Sequence, residues 1–392
     1  MYTIGLDVHV KRSTFVVLDE NGKELMNRTV HGPIDKVITE LQEVKQPFQI
    51  CFEASSGYGY VHDRLVRIAR RVVVAHAGKL RLIFRSKRKN DRIDAHKLAK
   101  LLYLDEVPPA HVPDADVRAW RSMIEHRHAL IDERTRTKNR LRALFRTVGL
   151  TPPRGLWTKR GIEWMRKVCF DQPLHAVMRD MFLERLASVN DMLGCAEKEL
   201  NRITRRHPGV AVLMSIPGVG ARTAEAVMAY IDKPQRFGRI NRVASYFGLV
   251  PCEDSSADKT RMGHITRQGP GTVRKLLTEA AWQAVRRSPQ VRAYYERVKR
   301  DDPQRKKIAI VATAHYLETV SIPHPGFGRL RASRGCVGLH RRFSPLNRLF
   351  RPPRPRRCRS ASGRRSGDCN SLLLRAMQAM LCTGEMWRTG AA

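Results

Sequence analysis

Tyr2-Thr3-Ile4-Gly5-Leu6-Asp7-Val8-His9 opens the chain as an apolar run that ends on a single acid, and Ser13-Thr14-Phe15-Val16-Val17-Leu18 follows four residues later. The second run is β-branched and aromatic, the composition of a strand. Asp19-Glu20-Asn21-Gly22 comes next, and Asn-Gly is a strong hairpin signal because both residues tolerate positive φ. Residues 23–30 then return as a third strand. Reading outward, residues 32–44 have helical spacing, 48–52 form a strand with Glu53 just past it, 58–70 are helical again, and 72–75 are a β-branched strand. Residues 91–103 place Ile93, Leu98, Leu101 and Leu102 on one predicted helix face.

Three antiparallel strands followed by helix, strand, helix, strand, helix suit an α/β sheet of the RNase H-like kind, with a mostly α-helical remainder. Such a sheet gathers carboxylates at neighbouring strand ends. Asp7 lies within the first strand, Glu53 ends the fourth, and Asp91 and Asp94 are three apart and so share a helix face. Four carboxylates brought together repel one another unless cations lie between them. Mg²⁺ is the expected ion, because it takes oxygen ligands and keeps waters that a phosphate oxygen can replace. Two such ions can activate an attacking oxygen and stabilise a leaving one. The plainer reading is four surface acids, with Asp91 and Asp94 merely suiting the macrodipole at a helix start. Asp7 argues against it, since an acid in an apolar strand is costly to bury without a partner.

The charge balance narrows the partners. The 392 residues carry 73 Lys plus Arg against 37 Asp plus Glu, a formal charge of +36. Such an excess destabilises a compact state by self-repulsion and makes sense when a polyanion neutralises it. Nucleic acid leads, through counterion release at each phosphate contact; an anionic membrane surface is the rival. No apolar run is long enough to span a bilayer, and no basic segment followed by an apolar one opens the chain, so the expected location is cytoplasmic with no membrane partner. The 8 cysteines are scattered singly, which suits reduced thiols and neither a disulfide frame nor a zinc site.

Beyond residue 110 the pattern becomes helical and basic. Residues 114–148 carry Trp120, Ile124, Leu130, Ile131, Leu141, Leu144 and Phe145 among many arginines, and Pro152-Pro153 breaks the run. Residues 174–203 offer a second long helix through Met178, Met181, Leu186, Val189, Met192 and Leu193. The two could pair as a coiled coil within the chain or between subunits. Ser215-Ile216-Pro217-Gly218-Val219-Gly220 then precedes a helix over 222–231, a turn that resembles half of a helix-hairpin-helix and presents backbone N–H groups suited to phosphate; a packing corner is the plainer account. Ser255-Ser256-Ala257-Asp258-Lys259 lies in a polar loop ahead of a helix over 272–285. Paired serines there are most often turn residues, although a serine beside cations and a bound metal can attack a phosphodiester.

These segments together resemble the DEDD transposases of bacterial insertion sequences, the group that includes the pilin-gene invertases. The likeness lies in Gly5-Leu6-Asp7-Val8-His9, Phe52-Glu53-Ala54-Ser55 and Lys89-Asn90-Asp91-Arg92-Ile93-Asp94-Ala95, then in Ile216-Pro217-Gly218-Val219-Gly220, Tyr246-Phe247-Gly248-Leu249-Val250-Pro251 and Gly263-His264-Ile265-Thr266-Arg267-Gln268-Gly269. The resemblance implies a Holliday-junction-resolvase-like (RuvC-like) Mg²⁺ site at Asp7, Glu53, Asp91 and Asp94, and a serine nucleophile that leaves a phosphoserine link to double-stranded DNA. The serine that lines up is Ser256, with Ser255 beside it, and Ala257 and Asp258 stand where relatives carry glycine. Gly218, Gly220, Lys259, Arg261 and Arg267 are the implied DNA contacts. The resemblance also implies a homo-oligomer, dimer or tetramer, and a structured guide RNA as a candidate partner, since some members carry one. The competing functions are a resolvase-like metal nuclease without a serine step, and a non-catalytic nucleic-acid-binding relic.

The expected organisation is an RNase H-like domain over 1–110, a helical linker over 111–205, a serine-bearing domain over 206–317, a disordered insertion over 318–371 and a resumed helix over 372–392. The insertion reading follows from composition: 318–371 is rich in Arg, Pro, Gly and Ser with little apolar period, while joining Leu317 to Leu373 would give one uninterrupted amphipathic helix. Its rival is a basic arm that binds nucleic acid. Deleting 318–371 is expected to leave thermal stability and DNA affinity unchanged or improved; a large loss of DNA or RNA affinity in a binding titration would establish the arm instead.

Overall fold

The computed structural model describes residues 1–83, 90–239, 241–255 and 261–321. Two compact units divide the chain, one over Met1–Ala119 and one beginning at Trp120.

The first unit is built on a five-stranded mixed sheet. Strands β1 (Tyr2–Val8), β2 (Arg12–Leu18) and β3 (Glu24–His31) are followed by helix α1 (Ile34–Gln42), β4 (Phe48–Glu53), α2 (Tyr58–Leu65), β5 (Arg71–Ala75), α3 (Ala77–Ile83) and α4 (Asp91–Tyr103). The spatial order is β3-β2-β1-β4-β5, antiparallel from β3 to β1 and parallel from β1 to β5. The Asn21-Gly22 turn closes as expected: Asp19 N–H donates to Lys23 O at 2.9 Å, Gly22 takes φ of 76°, and the Asp19 carboxylate accepts from the N–H groups of Asn21 and Lys23.

Strand alternation decides what each face of the sheet meets. Ile4, Leu6, Ile50 and Phe52 point to one side, where α1 contributes Val37 and Leu41 and α2 contributes Val61 and Leu65 to the same buried cluster. Gly5 and Cys51 point to the other side, where α4 lies. There Ala95 and Ala99 pack on Val16 and Leu18, and Leu98, Leu101 and Leu102 pack on Cys51 and Ala75. Each leucine so buried contributes roughly 1.5–3 kcal/mol. Burial also pushes the Cys51 thiol up to about 12, which keeps it protonated and inert.

Gly5 makes the approach of α4 possible. A Cβ there would stand 2.0 Å from Ala95 O and 2.3 Å from Ala99 N, both backbone atoms that cannot swing aside. The expected face of α4 needs one correction: Ile93 is 44% exposed, and the helix instead packs through Ala95, Leu98, Ala99, Leu101 and Leu102. Two short elements also differ from expectation. Helix α2 stops at Leu65 rather than running to residue 70, and α3 follows β5 where no helix was expected.

The second unit contains most of the long helix α5 (Ala115–Thr147), a short α6 (Lys159–Lys167) and the long helix α7 (Pro173–Arg206). Shared clusters show that α5 and α7 run antiparallel within the chain: Leu141 and Phe145 pack with Leu186, Leu130 with Val189 and Leu193, and Ile124 and Leu200 lie in a common core. Met178, Met181 and Met192, expected on the packing stripe of α7, are instead 43%, 64% and 42% exposed. The rest is a bundle of α8 (Pro208–Met214), α9 (Ala221–Ile231), α10 (Asn241–Phe247), a small hairpin of β6 (Pro251–Glu253) and β7 (Met262–Ile265), α11 (Gly271–Arg287), α12 (Pro289–Lys299) and α13 (Lys306–Ser321). The helical backbone of α13 runs on through Ser321, past the expected start of the insertion at 318; the remainder of 318–371, and 372–392, lie outside the described residues. Among the described residues no helix is long and apolar enough to cross a membrane.

Two glycines separate close approach from plain flexibility. Gly5→Ala is expected to destabilise the first unit by about 1–3 kcal/mol or more, as overpacking against backbone does. Gly194, exposed in the interior of α7 with nothing within 4 Å of its Cβ position, is expected to do the reverse: Gly194→Ala adds about 0.5–1 kcal/mol. Denaturant unfolding of both variants checks the pair, and a neutral Gly5→Ala would mean that α4 does not rest on β1.

Candidate functional site

The carboxyl end of the sheet gathers the first set of expected residues. Leu6 is in parallel register with Phe52, so the next step along both strands sets Asp7 beside Glu53 on the face that α4 covers. The start of α4 lies on the same face. Asn90 caps it by accepting the Arg92 N–H at 3.1 Å, and Asp91 and Asp94 occupy its first turn, where the helix dipole favours acids. A strand end and a helix start thus put Asp7, Asp91 and Asp94 near one another.

They are not gathered equally. Asp7 and Asp91 come closest, with His9 between them: its Nε2 is 3.3 Å from Asp7 Oδ2 and 3.9 Å from Asp91 Oδ1. Arg12 Nη2 holds the other Asp91 oxygen, Oδ2, at 2.7 Å. Asp94 contacts Lys97 Nζ at 3.5 Å and is near enough to Asp7 to act on it by repulsion. Glu53 is exposed at the end of β4. Sequence reasoning missed His9 and Arg12. Both flank the turn between β1 and β2, where His9 N–H donates to Arg12 O at 3.1 Å.

Asp7 carries the electrostatic cost of this arrangement. Burial raises its pKa above the ordinary 3.8, His9 opposes that by attraction, and Asp91 and Asp94 add to it by repulsion. The net shift is upward, so the ionised form is disfavoured in the folded, metal-free protein. The favourable contribution of a protonated Asp7 is complete below 3.8 and is lost as pH rises through its higher folded value.

The second set of residues lies in the bundle. Gly218 takes φ of 90°, and a Cβ there would stand 2.5 Å from Ala284 N and 2.6 Å from Ala280 O, so this glycine lets the turn seat against α11. Packing accounts for it fully. Gly220 differs: it starts α9 without a side-chain cap and has open space where its Cβ would be, leaving the first amides of the helix uncapped by any side chain.

The serine-bearing segment joins β6 to β7, a hairpin too short to be read from the sequence. Its base is a tight crossing of two strands of chain. Gly248 and Gly269 take φ of 68° and 73°, and a Cβ at either would meet Gln268 O at 2.3 Å or Tyr246 O at 2.0 Å. Arg274 Nη1 then donates to Phe247 O, Gln268 O and Gly269 O at 3.0, 2.6 and 3.1 Å, clamping the crossing. Ser255 Oγ donates to Glu253 Oε1 at 2.9 Å, the local bond of a turn residue. Arg261 precedes β7, with its carbonyl accepting the Asp254 N–H at 2.9 Å. Ser256 and Lys259 lie outside the described residues.

Beside the hairpin, Arg267, Arg274 and Lys275 line a groove of about 410 Å³ with Trp282 at its wall. An adjoining concavity of about 740 Å³ shares Lys275 and Trp282 and adds Arg127, Arg286 and Lys306. Lys306 Nζ stands 5.4 Å from the Trp282 ring centre. Cations around an indole suit a polyanion that carries planar rings.

Known proteins share both regions. Residues 4–149 match a transposase family model, that of the DEDD transposases of the IS110 type, and residues 210–296 match the Transposase IS116/IS110/IS902 family. Both regions of the chain resemble IS110-type transposases. Among its relatives are a candidate transposase, y4qE, of Sinorhizobium fredii, 25% identical over 71% of this chain and 70% of that protein, and the transposase of insertion sequence element IS1111A of Coxiella burnetii, 29% identical over 49% of this chain and 54% of that protein. An insertion element IS110 protein of Streptomyces coelicolor is 30% identical over 29% of this chain and 28% of its own length.

The raised pKa of Asp7 gives a test of the acidic centre. Without added metal, Asp7→Asn is expected to raise the thermal midpoint at pH 7, with the advantage shrinking as pH falls toward 4. A midpoint lowered at pH 7 would show that the Asp7 carboxylate is a stabilising structural group.

Proposed function

We propose that this chain is a DNA transposase in which Asp7, Glu53, Asp91 and Asp94 of an RNase H-like domain hold divalent metal, Mg²⁺ in the simplest case, and Ser256 attacks the phosphodiester. The observation that carries the reading is the convergence of Asp7 and Asp91 at one end of the sheet, on the face where Asp94 and Glu53 also lie. A protein that gathers acids against a low-dielectric wall loses stability by it, and recovers the loss when a cation binds. The donor set fits such an ion, since most of its ligands are oxygens. When bound, the ion would withdraw charge from the phosphate oxygens of the scissile link.

The chain's own residues supply the rest. Arg267, Lys275, Arg286 and Lys306 neutralise backbone phosphates and release their counterions. The Arg274 clamp and the Gly248–Gly269 crossing fix the base of the β6–β7 hairpin. The Ser256 oxygen bonds to phosphorus as the bond from phosphorus to the departing strand's oxygen breaks; the serine proton passes to water and the departing oxygen takes one up to leave as a free hydroxyl, giving a phosphoserine link that a second strand can reverse. Ser255 is the weaker nucleophile candidate because its hydroxyl is engaged with Glu253. Double-stranded DNA is the substrate, with a homo-oligomer and a guide RNA as accompanying proposals from the family.

Incubation with Mg²⁺ and the DNA flanking the gene, including any RNA that copurifies, is expected to give a denaturant-resistant protein–DNA adduct. The adduct should vanish in Asp7→Ala and Ser256→Ala and persist in Ser255→Ala. Metal-dependent cleavage without an adduct would replace this reading by the resolvase-like nuclease. Neither product, repeated with 318–371 removed, would leave a DNA-binding relic.

A further inference from the structure

The tightest part of the acidic centre is not made of oxygen alone. Among the described residues, one ligand atom each from Asp7, His9 and Asp91 lie within 4.8 Å of one another. Ligands on opposite sides of an ion at about 2.0–2.2 Å stand roughly 4–4.4 Å apart, so this triangle is close to the span that one small cation fills. The distances from His9 Nε2, 3.3 Å to Asp7 Oδ2 and 3.9 Å to Asp91 Oδ1, are those of two ligands sharing an ion as much as those of a hydrogen-bonded pair.

Arg12 sharpens the assignment. It binds Asp91 through Oδ2 at 2.7 Å, while Oδ1 is the oxygen turned toward His9. One Asp91 oxygen is thus held from outside and the other is presented to the centre of the triangle. That is the orienting role that outer partners play for metal-bound carboxylates. His9 needs no rearrangement to join: it emerges just past β1, two residues after Asp7, with its backbone fixed by the His9 N–H to Arg12 O bond.

Resting on the reading that these acids hold divalent metal, we propose that His9 is a direct third ligand of the ion bound by Asp7 and Asp91, and that the mixed nitrogen and oxygen set makes the site prefer Mn²⁺ and the later first-row divalent ions over Mg²⁺. Mg²⁺ is a hard cation that seeks oxygen and parts with its waters reluctantly. Imidazole is a softer donor whose affinity rises along the first transition row from Mn²⁺ onward. With only carboxylates and water around it an ion gains little from being Mn²⁺; with one imidazole it gains a bond that Mg²⁺ does not reward.

Mn²⁺ and Mg²⁺ titrations of the full-length protein, followed by the Mn²⁺ electron paramagnetic resonance signal and by Mg²⁺ competition, test this in wild type, His9→Asn and Asp7→Asn. Wild type is expected to bind Mn²⁺ the more tightly, and its pulsed spectrum to show coupling to a directly bound imidazole nitrogen. In His9→Asn the coupling should disappear and Mn²⁺ affinity fall by at least the roughly tenfold that losing an outer partner costs, with Mg²⁺ affinity little changed. Retained Mg²⁺ binding shows that the variant is folded. An unchanged ratio of Mn²⁺ to Mg²⁺ affinity in His9→Asn, or no nitrogen coupling in wild type, overturns the ligand role of His9. Metal binding that survives in Asp7→Asn, or is absent from wild type, overturns the metal reading beneath it.

Discussion

The backbone of α4 rests directly on β1 at Gly5, and the acidic centre exists because of that approach. Without a Cβ at position 5, the carbonyl of Ala95 and the amide of Ala99 come within reach of the strand, and the small side chains of Ala95 and Ala99 settle on Val16 and Leu18. The leucines of the same helix then cover Cys51 and Ala75. The first turn of α4 has little freedom once this contact is made, so Asp91 arrives beside Asp7 as a result of apolar packing. The energy that gathers the carboxylates comes from burying leucine and alanine, and it is large enough to carry a repulsive cluster along with it.

The bundle uses the same device for a different end. Gly218 lets its turn seat on α11, and Gly248 and Gly269 let two stretches of chain cross at backbone distance, with Arg274 donating into the carbonyls exposed there. In each case a missing side chain converts a loop into a fixed mount. Such mounts hold whatever they carry in one place, because backbone contacts at this distance leave no room to shift. The basic groove beside the hairpin adds attraction for a polyanion without adding precision, since Lys and Arg heads on exposed stems adapt to whatever phosphate they meet.

Much of the first unit was legible because local rules and tertiary structure agree there. The run Tyr2–Val8, the Asn21-Gly22 turn and the helix Asp91–Tyr103 appear where alternation, turn chemistry and 3.6-residue spacing put them. Asp7 stood out as an acid within an apolar strand, and Asp91 and Asp94 as two acids three apart at a helix start. What failed to show depends on contacts distant in sequence. Ile93 has the right spacing for the apolar face of α4 yet falls outside it, because the helix turns its alanines toward the strands. Met178, Met181 and Met192 have helical spacing, but the face of α7 that packs on α5 is the one carrying Leu186, Val189, Leu193 and Leu200. The β6–β7 hairpin is too brief to leave a period. Nothing local in the sequence signals that the His9 ring reaches back to Asp7 and across to Asp91.

The strain on Asp7 has a consequence for how the first unit tolerates change. Burial and the neighbouring Asp91 and Asp94 disfavour its ionised form, so a neutral side chain of similar shape relieves the fold of an electrostatic cost. The close approach at Gly5 and the Arg274 clamp do not depend on that charge. Selection for folding alone would therefore not keep an acid at position 7.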